Sequence, residues 1–127
     1  MSEELILIVD DNEMNVKLAR DVLRFAGFRT LEAGTGGEGV LLATEHLPDV
    51  VLMDIRLPDM DGTTAVRELK HDPRTAQIPI VAVTSFAMKG DRERFLSEGF
   101  DGYLEKPISV KEFPEQVRSF CRRRDAT

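Results

Sequence analysis

One segment dominates the hydrophobic pattern of the chain: Pro48-Asp49-Val50-Val51-Leu52-Met53-Asp54. Four uninterrupted apolar residues lead directly into the carboxylate of Asp54. Pro48 precedes this run and Pro58 follows it, and a short apolar run bounded in this way is typical of a strand that is buried on both faces. An unpaired charge at the rim of a core is costly, so the remainder of the chain is expected to supply groups that compensate Asp54.

The size and composition predict a single globular domain over residues 1–127, with a core at about 4–122. A domain of this length buries roughly two thirds of the surface of its unfolded chain. The chain is 42% hydrophobic and 31% charged, which excludes a disordered protein. No apolar run approaches the roughly 20 residues of a membrane span. The acidic start, Met1-Ser2-Glu3-Glu4, is unlike a secretory leader.

Charge and cysteine content narrow the range of partners and compartments. The net charge of −6 argues against nucleic acid as the direct partner, because phosphate binding needs a basic surface. The one basic run, Arg122-Arg123-Arg124, is explained by compensation of a helix dipole at the end of the last predicted helix. The lone Cys121 cannot form an internal disulfide, which predicts a reducing, cytoplasmic location.

Apolar runs separated by segments of helical period predict an alternating βα chain. The predicted strands are Leu5–Val9, Thr30–Ala33, Val50–Met53, Ile80–Val83 and Gly102–Leu104. Such alternation indicates a parallel sheet covered on both faces. The first, third and fourth runs are the most apolar and belong in the centre. We therefore predict an α/β, flavodoxin-like doubly wound fold with strand order 2-1-3-4-5.

Start and stop signals place five helices between and after these strands. They are predicted from Asn12 to Gly27, after Thr35 to Pro48, from about Gly62 to Asp72, after Ser85 to Gly99, and from the capping box Ser109-Val110-Lys111-Glu112 onward. The glycine-rich segment 34–39 lacks the Lys-Ser/Thr ending of a nucleotide loop, which predicts a flexible connection and a weak first turn in the second helix. Pro114 is expected to bend the fifth helix near its start.

Polar residues follow the central strands at the edge where the carboxyl ends of parallel strands meet. Asp10 and Asp11 follow the first strand, Asp54 the third, Thr84 the fourth and Lys106 the fifth. Taken singly, Asp10, Asp11 and Asn12 could cap the first helix, Thr84 could cap the fourth, and Lys106 could be an exposed turn residue. Taken together, they predict a site at the point where strand order reverses.

The chemistry of these residues points to phosphoryl transfer. Crowded carboxylates repel one another and favour uptake of a cation, and oxygen ligands suit Mg²⁺. No His or Cys follows these strands, which argues against zinc. A carboxylate can carry a covalent acyl phosphate, so Asp54 is the candidate nucleophile. A metal and Lys106 on opposite sides would then clamp the phosphoryl group.

These motifs resemble the receiver domains of two-component response regulators over about residues 4–122. The matching motifs are Ile8-Val9-Asp10-Asp11-Asn12, Leu52-Met53-Asp54-Ile55, Leu57-Pro58, Asp61-Gly62, Val83-Thr84-Ser85, Tyr103-Leu104 and Lys106-Pro107. Within the family the chain most resembles stand-alone receivers of the DivK type. The segments that carry this narrower resemblance are Phe86-Ala87-Met88-Lys89-Gly90-Asp91 and Lys106-Pro107-Ile108-Ser109-Val110.

The resemblance implies a set of roles at the site. Asp54 would accept a phosphoryl group from a phosphohistidine of a sensor histidine kinase or a histidine phosphotransfer protein. Asp11, Asp54 and the backbone carbonyl of Arg56 would bind Mg²⁺, with Asp10 acting directly or through a water. Lys106 would bind the phosphoryl oxygens.

The resemblance also implies a switch and its output. The hydroxyl of Thr84 would move toward the phosphoryl group, and Tyr103 would turn inward into the vacated volume. If the chain is complete, output must be a contact with a downstream protein, through the face of the fourth helix, fifth strand and fifth helix. That face carries Met88, Lys89, Arg92, Phe95, Tyr103 and Phe113. The kinase would contact the rim and the first helix near Asn15 and Leu18.

Two residues are expected to tune the reaction or the fold. Phe86 lies two positions beyond the switch hydroxyl and Arg56 two beyond the acceptor, so both should border the path of the attacking water. Phe86 is predicted to lengthen the phosphoryl lifetime, and an unchanged or shorter lifetime in Phe86→Ala would contradict this. The resemblance also implies a cis bond before Pro107.

Competing interpretations follow from the same residues. A phosphatase or phosphomutase with an aspartate nucleophile would need an acid two residues after Asp54, where the chain has Arg56. A flavodoxin-like electron carrier would need aromatic stacking residues, but the chain has no Trp and a single Tyr. A phosphorylation-independent adaptor would have no use for a complete acceptor site. The chain could also be a receiver fragment of a longer regulator.

Overall fold

The computed structural model describes residues 4–85, 91–106 and 108–125, with the backbone alone for 91, 92 and 122–125. Its elements are β1 (Leu5–Val9), α1 (Glu13–Phe25), β2 (Arg29–Ala33), α2 (Gly36–His46), β3 (Val50–Asp54), α3 (Gly62–His71), β4 (Ile80–Thr84), α4 (Asp91–Ser97), β5 (Gly102–Glu105) and α5 (Phe113–Asp125). The strands form one parallel sheet in the order β2-β1-β3-β4-β5, which confirms the predicted fold. None of the helices in the described part of the chain has the length and apolarity needed to cross a membrane.

Burial on both faces explains the uninterrupted apolar run of β3. Successive side chains of a strand point to opposite faces, so Val51 and Met53 pack into the core cluster shared with α2, α3 and α4. Val50 and Leu52 pack into the second cluster, on the face covered by α1 and α5. All four residues are buried, and the strand meets water only at its last residue, Asp54.

The glycine-rich segment 34–39, which includes the first turn of α2, differs from its prediction. Thr35 is the N-cap of α2, and its hydroxyl accepts a hydrogen bond from the backbone N–H of Glu38 at 3.1 Å. The carboxylate of Glu38 in turn accepts from the N–H of Gly34 at 2.9 Å. A Cβ on Gly39 would lie 2.8 Å from a methyl group of Val9. The segment is therefore a capped helix start whose glycine permits close packing on β1, rather than a flexible connection.

The start of α5 also differs from its prediction, by four residues. The hydroxyl of Ser109 accepts from the N–H of Glu112 at 3.2 Å, as a cap should. The carbonyl of Ser109 accepts from the N–H of Phe113 at 2.8 Å. Pro114 has no N–H to donate to the next carbonyl, so residues 110–112 form a turn and the helix begins at Phe113.

Lys70 joins three elements at the sheet edge opposite the predicted site. Its ammonium donates to the carbonyls of Ala76 and Ile78, at 3.2 and 2.9 Å. It also donates to the carboxylate of Asp101 at 2.9 Å, and the same carboxylate oxygen accepts from the N–H of Ile80 at 2.7 Å. This network ties the end of α3 to the starts of β4 and β5.

Replacing Lys70 by Met should lower the free energy of unfolding by about 1–3 kcal/mol, because partly buried acceptors would lose their charged donor. Chemical denaturation of the two proteins measures the difference. Lys17→Met is the matched control, because Lys17 is exposed and its one ion pair within the described ranges is with Asp21, across one helical turn. Its loss should cost at most about 0.5 kcal/mol. Equal losses in the two variants would contradict a special role for Lys70.

Candidate functional site

Sheet register brings the predicted site residues to one edge. Val9 pairs with Met53, so Asp10 and Asp54 leave neighbouring strands at the same level. Thr84 ends β4, and its carbonyl accepts a hydrogen bond from the backbone N–H of Lys106 at 2.8 Å, directly after β5. The parallel topology therefore gathers groups that are up to 96 positions apart in the chain.

An acidic cluster occupies the switch point between β1 and β3. Asp10, Asp11 and Asp54 each place one carboxylate oxygen within 4.8 Å of the others. Asp10 is buried, Asp54 is partly buried and Asp11 is exposed. The caps of α1 are supplied by Asn12, whose side chain accepts from the N–H groups of the second and third helical residues. The capping interpretation is therefore correct for Asn12 but not for the side chains of Asp10 and Asp11.

Lys106 bridges two of these acids. Its ammonium lies 3.0 Å from Oδ2 of Asp10 and 3.2 Å from Oδ2 of Asp54. The three side chains are only 15%, 8% and 13% exposed, respectively, so each charge depends on its partners. The other oxygen of each acid accepts a backbone N–H: Asp10 from Asn12 at 2.9 Å, and Asp54 from Arg56 at 3.2 Å.

The electrostatic balance of the cluster remains negative. Burial raises the pKa of the Asp54 carboxyl above its usual 3.8, and the charge of Asp10 adds to the shift, against the opposing effects of the Arg56 N–H and Lys106. Burial alone would lower the pKa of Lys106, but its hydrogen bonds and ion pairs with Asp10 and Asp54 raise it above 10.5. Within the cluster, one ammonium is thus set against three carboxylates, of which it contacts Asp10 and Asp54. A divalent cation would neutralise this excess, and an oxygen-only ligand set fits Mg²⁺ rather than zinc.

The raised pKa of Asp54 predicts a pH dependence of stability in magnesium-free buffer. The folded state holds the Asp54 proton more tightly than the unfolded state does, so this residue's contribution to the free energy of unfolding should fall as the pH rises from about 3.8 through the raised pKa. Denaturation of the wild type and Asp54→Asn in EDTA, at several pH values from 4 to 7, isolates this contribution as their difference. Asp21→Asn is the control of opposite sign, because Lys17 lowers the pKa of exposed Asp21. A difference that grows in favour of the wild type toward neutral pH would contradict the prediction.

A cleft of about 190 Å³ opens beside Asp54. It is lined by Asp54, Ile55, Arg56, Thr84, Ser85, Arg94, Phe95 and Lys106. Two hydroxyl residues and three basic residues thus surround one carboxylate, and Thr84 itself is buried. Arg94, which lies over the ring of Phe95 at 4.9 Å, was not predicted for this site, because a single arginine on a helix gives no sequence signal.

Other predicted residues lie elsewhere. The ring of Tyr103 is half-buried and packs 6.0 Å from the ring of Phe95, outside the lining of the cleft. Phe95 and Phe113 are each 1% exposed, so they are core residues and not part of an exposed docking face. Phe86, Met88, Lys89 and Pro107, with the expected cis bond, lie outside the described residues, and the side chain of Arg92 is not described.

The loop after β3 is folded back onto the acceptor strand. The N–H of Gly62 donates to the carbonyl of Ile55 at 2.8 Å, and Arg56 pairs with Asp61 in an isolated antiparallel bridge. A Cβ on Gly62 would lie 2.6 Å from the carbonyl oxygen of Asp54. Glycine is therefore required where α3 begins, and this close approach sets the path of the loop that carries Arg56.

Comparison with known proteins agrees with this geometry. Residues 6–118 match the sequence profile of the response regulator receiver domain. The polar-differentiation response regulator DivK of Brucella ovis is 46% identical over 115 residues, covering 91% of this chain and 94% of that protein. The receiver domain of a sensor histidine kinase from Pseudomonas aeruginosa, solved with a magnesium ion in its active site cleft, is 34% identical with a TM-score of 0.86, covering 95% of this chain and 99% of that one. A CheY-like receiver from Methanospirillum hungatei is 27% identical with a TM-score of 0.88, covering 98% of each chain.

The receiver-domain match, together with the acidic cluster at the carboxyl edge of the parallel sheet, defines a signalling domain rather than a conventional enzyme, with a site typical of a phosphoacceptor. The chain belongs to the response regulator receiver domain family, and DivK is a homologue. Receiver domains are phosphorylated by histidine kinases, which places the chain in two-component signalling.

Proposed function

We propose that this receiver accepts a phosphoryl group on Asp54, in a Mg²⁺-dependent reaction, from a phosphohistidine of a sensor histidine kinase or histidine phosphotransfer protein. The observation that carries the proposal is the environment of the Asp54 carboxylate. One oxygen contacts the ammonium of Lys106, the other accepts the Arg56 N–H, and both lie beside the cleft of about 190 Å³. No other carboxylate lines that cleft within the described part of the chain.

The residues that would hold the metal are those of the acidic cluster. Asp11, Asp54 and the backbone carbonyl of Arg56 are proposed as direct ligands, with Asp10 acting directly or through a water. When bound, the cation would offset the negative charge that accumulates on the transferring group. Lys106 pairs with both Asp10 and Asp54 and so holds two of these acids close together.

The reaction is a displacement at phosphorus. An oxygen of Asp54 forms a bond to phosphorus while the bond from phosphorus to the donor's imidazole nitrogen breaks, and the imidazole leaves with that electron pair. Lys106, now 3.2 Å from Asp54, would transfer its hydrogen bond to a phosphoryl oxygen. The product is an acyl phosphate on Asp54.

The switch is proposed to use Thr84 and Tyr103. The buried hydroxyl residue Thr84 lines the cleft, within reach of a phosphoryl group on its neighbour strand. The half-buried Tyr103 packs against Phe95, which also lines the cleft, so movement at one is transmitted to the other by contact. Phosphorylation would then shift the population toward a second arrangement of these residues, because the acyl phosphate makes contacts that the free carboxylate cannot.

Protein contacts are proposed on two surfaces. Output would use the face of α4, β5 and α5, where a groove of about 550 Å³ is lined by Leu96, Tyr103, Glu105, Glu112 and Phe120 among others. The kinase would contact the rim and α1, where Leu18 is 40% exposed. Neither contact involves nucleic acid or a membrane in this proposal. Cys121, the single cysteine of the chain, is buried, which is compatible with a reducing cytoplasm as the proposed location.

Incubation with a small phosphodonor tests the proposal. With Mg²⁺, intact mass should show the gain of a single phosphoryl group, and EDTA should prevent it. Hydroxylamine should remove the group, because it cleaves acyl phosphates but not phosphoserine or phosphothreonine. Turnover of a free phosphate ester would indicate an aspartate-nucleophile phosphatase instead, and no uptake from any donor would indicate a phosphorylation-independent adaptor.

A further inference from the structure

The loop between β3 and α3 makes a second attachment, at its middle. Its ends are held by the bridge between Arg56 and Asp61 and by the close approach of Gly62 to the acceptor strand. Asp59 lies between these points, on the part of the loop that faces α2. Its carboxylate accepts the N–H of Gly36 at 2.8 Å through one oxygen and the N–H of Gly37 at 2.9 Å through the other.

These two N–H groups are the first of α2 and have no partner within the helix. Asp59 therefore caps a helix from which it is separated by more than 20 positions in sequence. The hydrogen bonds from Gly37 and Gly36 lower the pKa of the exposed Asp59, so it is ionised at neutral pH. An anion at this end is also favoured by the helix dipole.

Met60 adds an apolar contact beside these hydrogen bonds. A Cβ on Gly36 would lie 2.5 Å from Cγ of Met60 and 2.7 Å from its sulfur, so the methionine side chain packs against the bare glycine backbone. A carboxylate and a thioether on consecutive residues thus hold the loop to the start of α2. This double contact gives the glycine-rich segment a role that neither a linker nor a nucleotide loop would have.

We propose that Asp59 is a positioning residue for the metal site, because it holds the loop that presents the Arg56 carbonyl by clamping that loop to the N-terminus of α2. The inference rests on the proposed role of Arg56 as a magnesium ligand. Groups that hold a metal ligand in place commonly change metal affinity about 10–100-fold when they are removed. An exposed clamp such as Asp59 is expected at the lower end of that range.

Coupling of this kind is reciprocal. If the contact between Asp59 and α2 favours cation binding, then cation binding must stabilise that contact by the same coupling free energy. The Gly36 and Gly37 amides, which make the contact, should therefore respond to the cation. Amide signals at the start of α2 would then change when Mg²⁺ binds, although none of the proposed metal ligands lies in that helix.

Magnesium titration of the wild type and three variants tests the inference, with calorimetry for affinity and amide NMR for Gly36 and Gly37. Asp59→Asn should raise the Kd for Mg²⁺ roughly tenfold and abolish the Mg²⁺-dependent shifts of both amides. Thr35→Ala is the matched control, because it removes another cap of α2 without touching the loop, and its Kd should stay within about twofold of the wild type. Denaturation of each variant in EDTA confirms that it is folded.

Equal changes in Kd for Asp59→Asn and Thr35→Ala would overturn the inference, because weakening of α2 would then explain both. The inference would also be overturned if both variants kept the wild-type Kd for Mg²⁺. Asp11→Asn separates this failure from failure of the proposed site. If Asp11→Asn lowers magnesium affinity and Asp59→Asn does not, only the positioning role is wrong. If Asp11→Asn has no effect, the metal site itself is misplaced and the positioning role falls with it.

Discussion

Asp54→Asn should abolish phosphoryl uptake completely, with no mass gain over the full course of a phosphodonor incubation. The amide keeps the shape of the side chain but is not a nucleophile, so no acyl phosphate can form. It also removes one of the two acids that Lys106 pairs with and leaves Asp10 as its remaining partner. The variant should stay folded, because the amide has nearly the same volume as the carboxylate and Lys106 keeps its ion pair with Asp10.

Asp49→Asn is the matched control for this loss. Asp49 lies at the opposite end of β3, where its carboxylate accepts the N–H of Leu5 at 2.8 Å, far from the cleft. Its phosphoryl uptake should equal that of the wild type. Residual uptake in Asp54→Asn, removable by hydroxylamine, would place the acceptor on another carboxylate such as Asp11.

Gly62→Ala should have the second largest effect, on stability and on magnesium affinity together. The new methyl group would lie 2.6 Å from the carbonyl oxygen of Asp54, and a backbone atom in a central strand cannot move aside as a side chain can. Overpacking of this kind costs about 1–3 kcal/mol of the free energy of unfolding. Displacement of Asp54 and Arg56 should also raise the Kd for Mg²⁺ by roughly tenfold or more.

Gly34→Ala controls for the general effect of replacing a glycine. A Cβ at Gly34 would have nothing within 4 Å, so its stability should remain within about 0.5 kcal/mol of the wild type. Denaturant melts and calorimetric titrations measure both quantities on the same samples. A Gly62→Ala protein with wild-type stability and affinity would show that the loop and α3 can separate without consequence.

The strand order and the location of the site could be predicted from the sequence because both follow from patterns. Uninterrupted apolar runs mark strands buried on two faces, and parallel topology alone places Asp10, Asp54 and Lys106 at one edge. Strand boundaries were predicted to within one residue for the same reason: the pattern changes abruptly where each strand leaves the core.

The side-chain contacts that join the elements could not be predicted in this way. Asp59 beside the site and Lys70 at the opposite edge of the sheet both bind backbone groups of other segments, and such contacts leave no periodic trace in the sequence. The glycines of α2 show most clearly that local sequence patterns do not predict tertiary contacts. Their low helix propensity predicted a weak turn, but tertiary contacts with Asp59, Met60 and Val9 override that preference.

The pairing of Asp10 with Lys106 spans 96 positions, about three quarters of the 127-residue chain. At ribosomal rates of about 5–20 residues per second, the lysine is made roughly 5–20 s after the first acid. Throughout that interval the growing polypeptide carries the acids without Lys106, so under the proposed mechanism it would lack the ammonium that binds the phosphoryl oxygens. An unfinished molecule would then not accept a phosphoryl group from its kinase until Lys106, directly after β5, has been made.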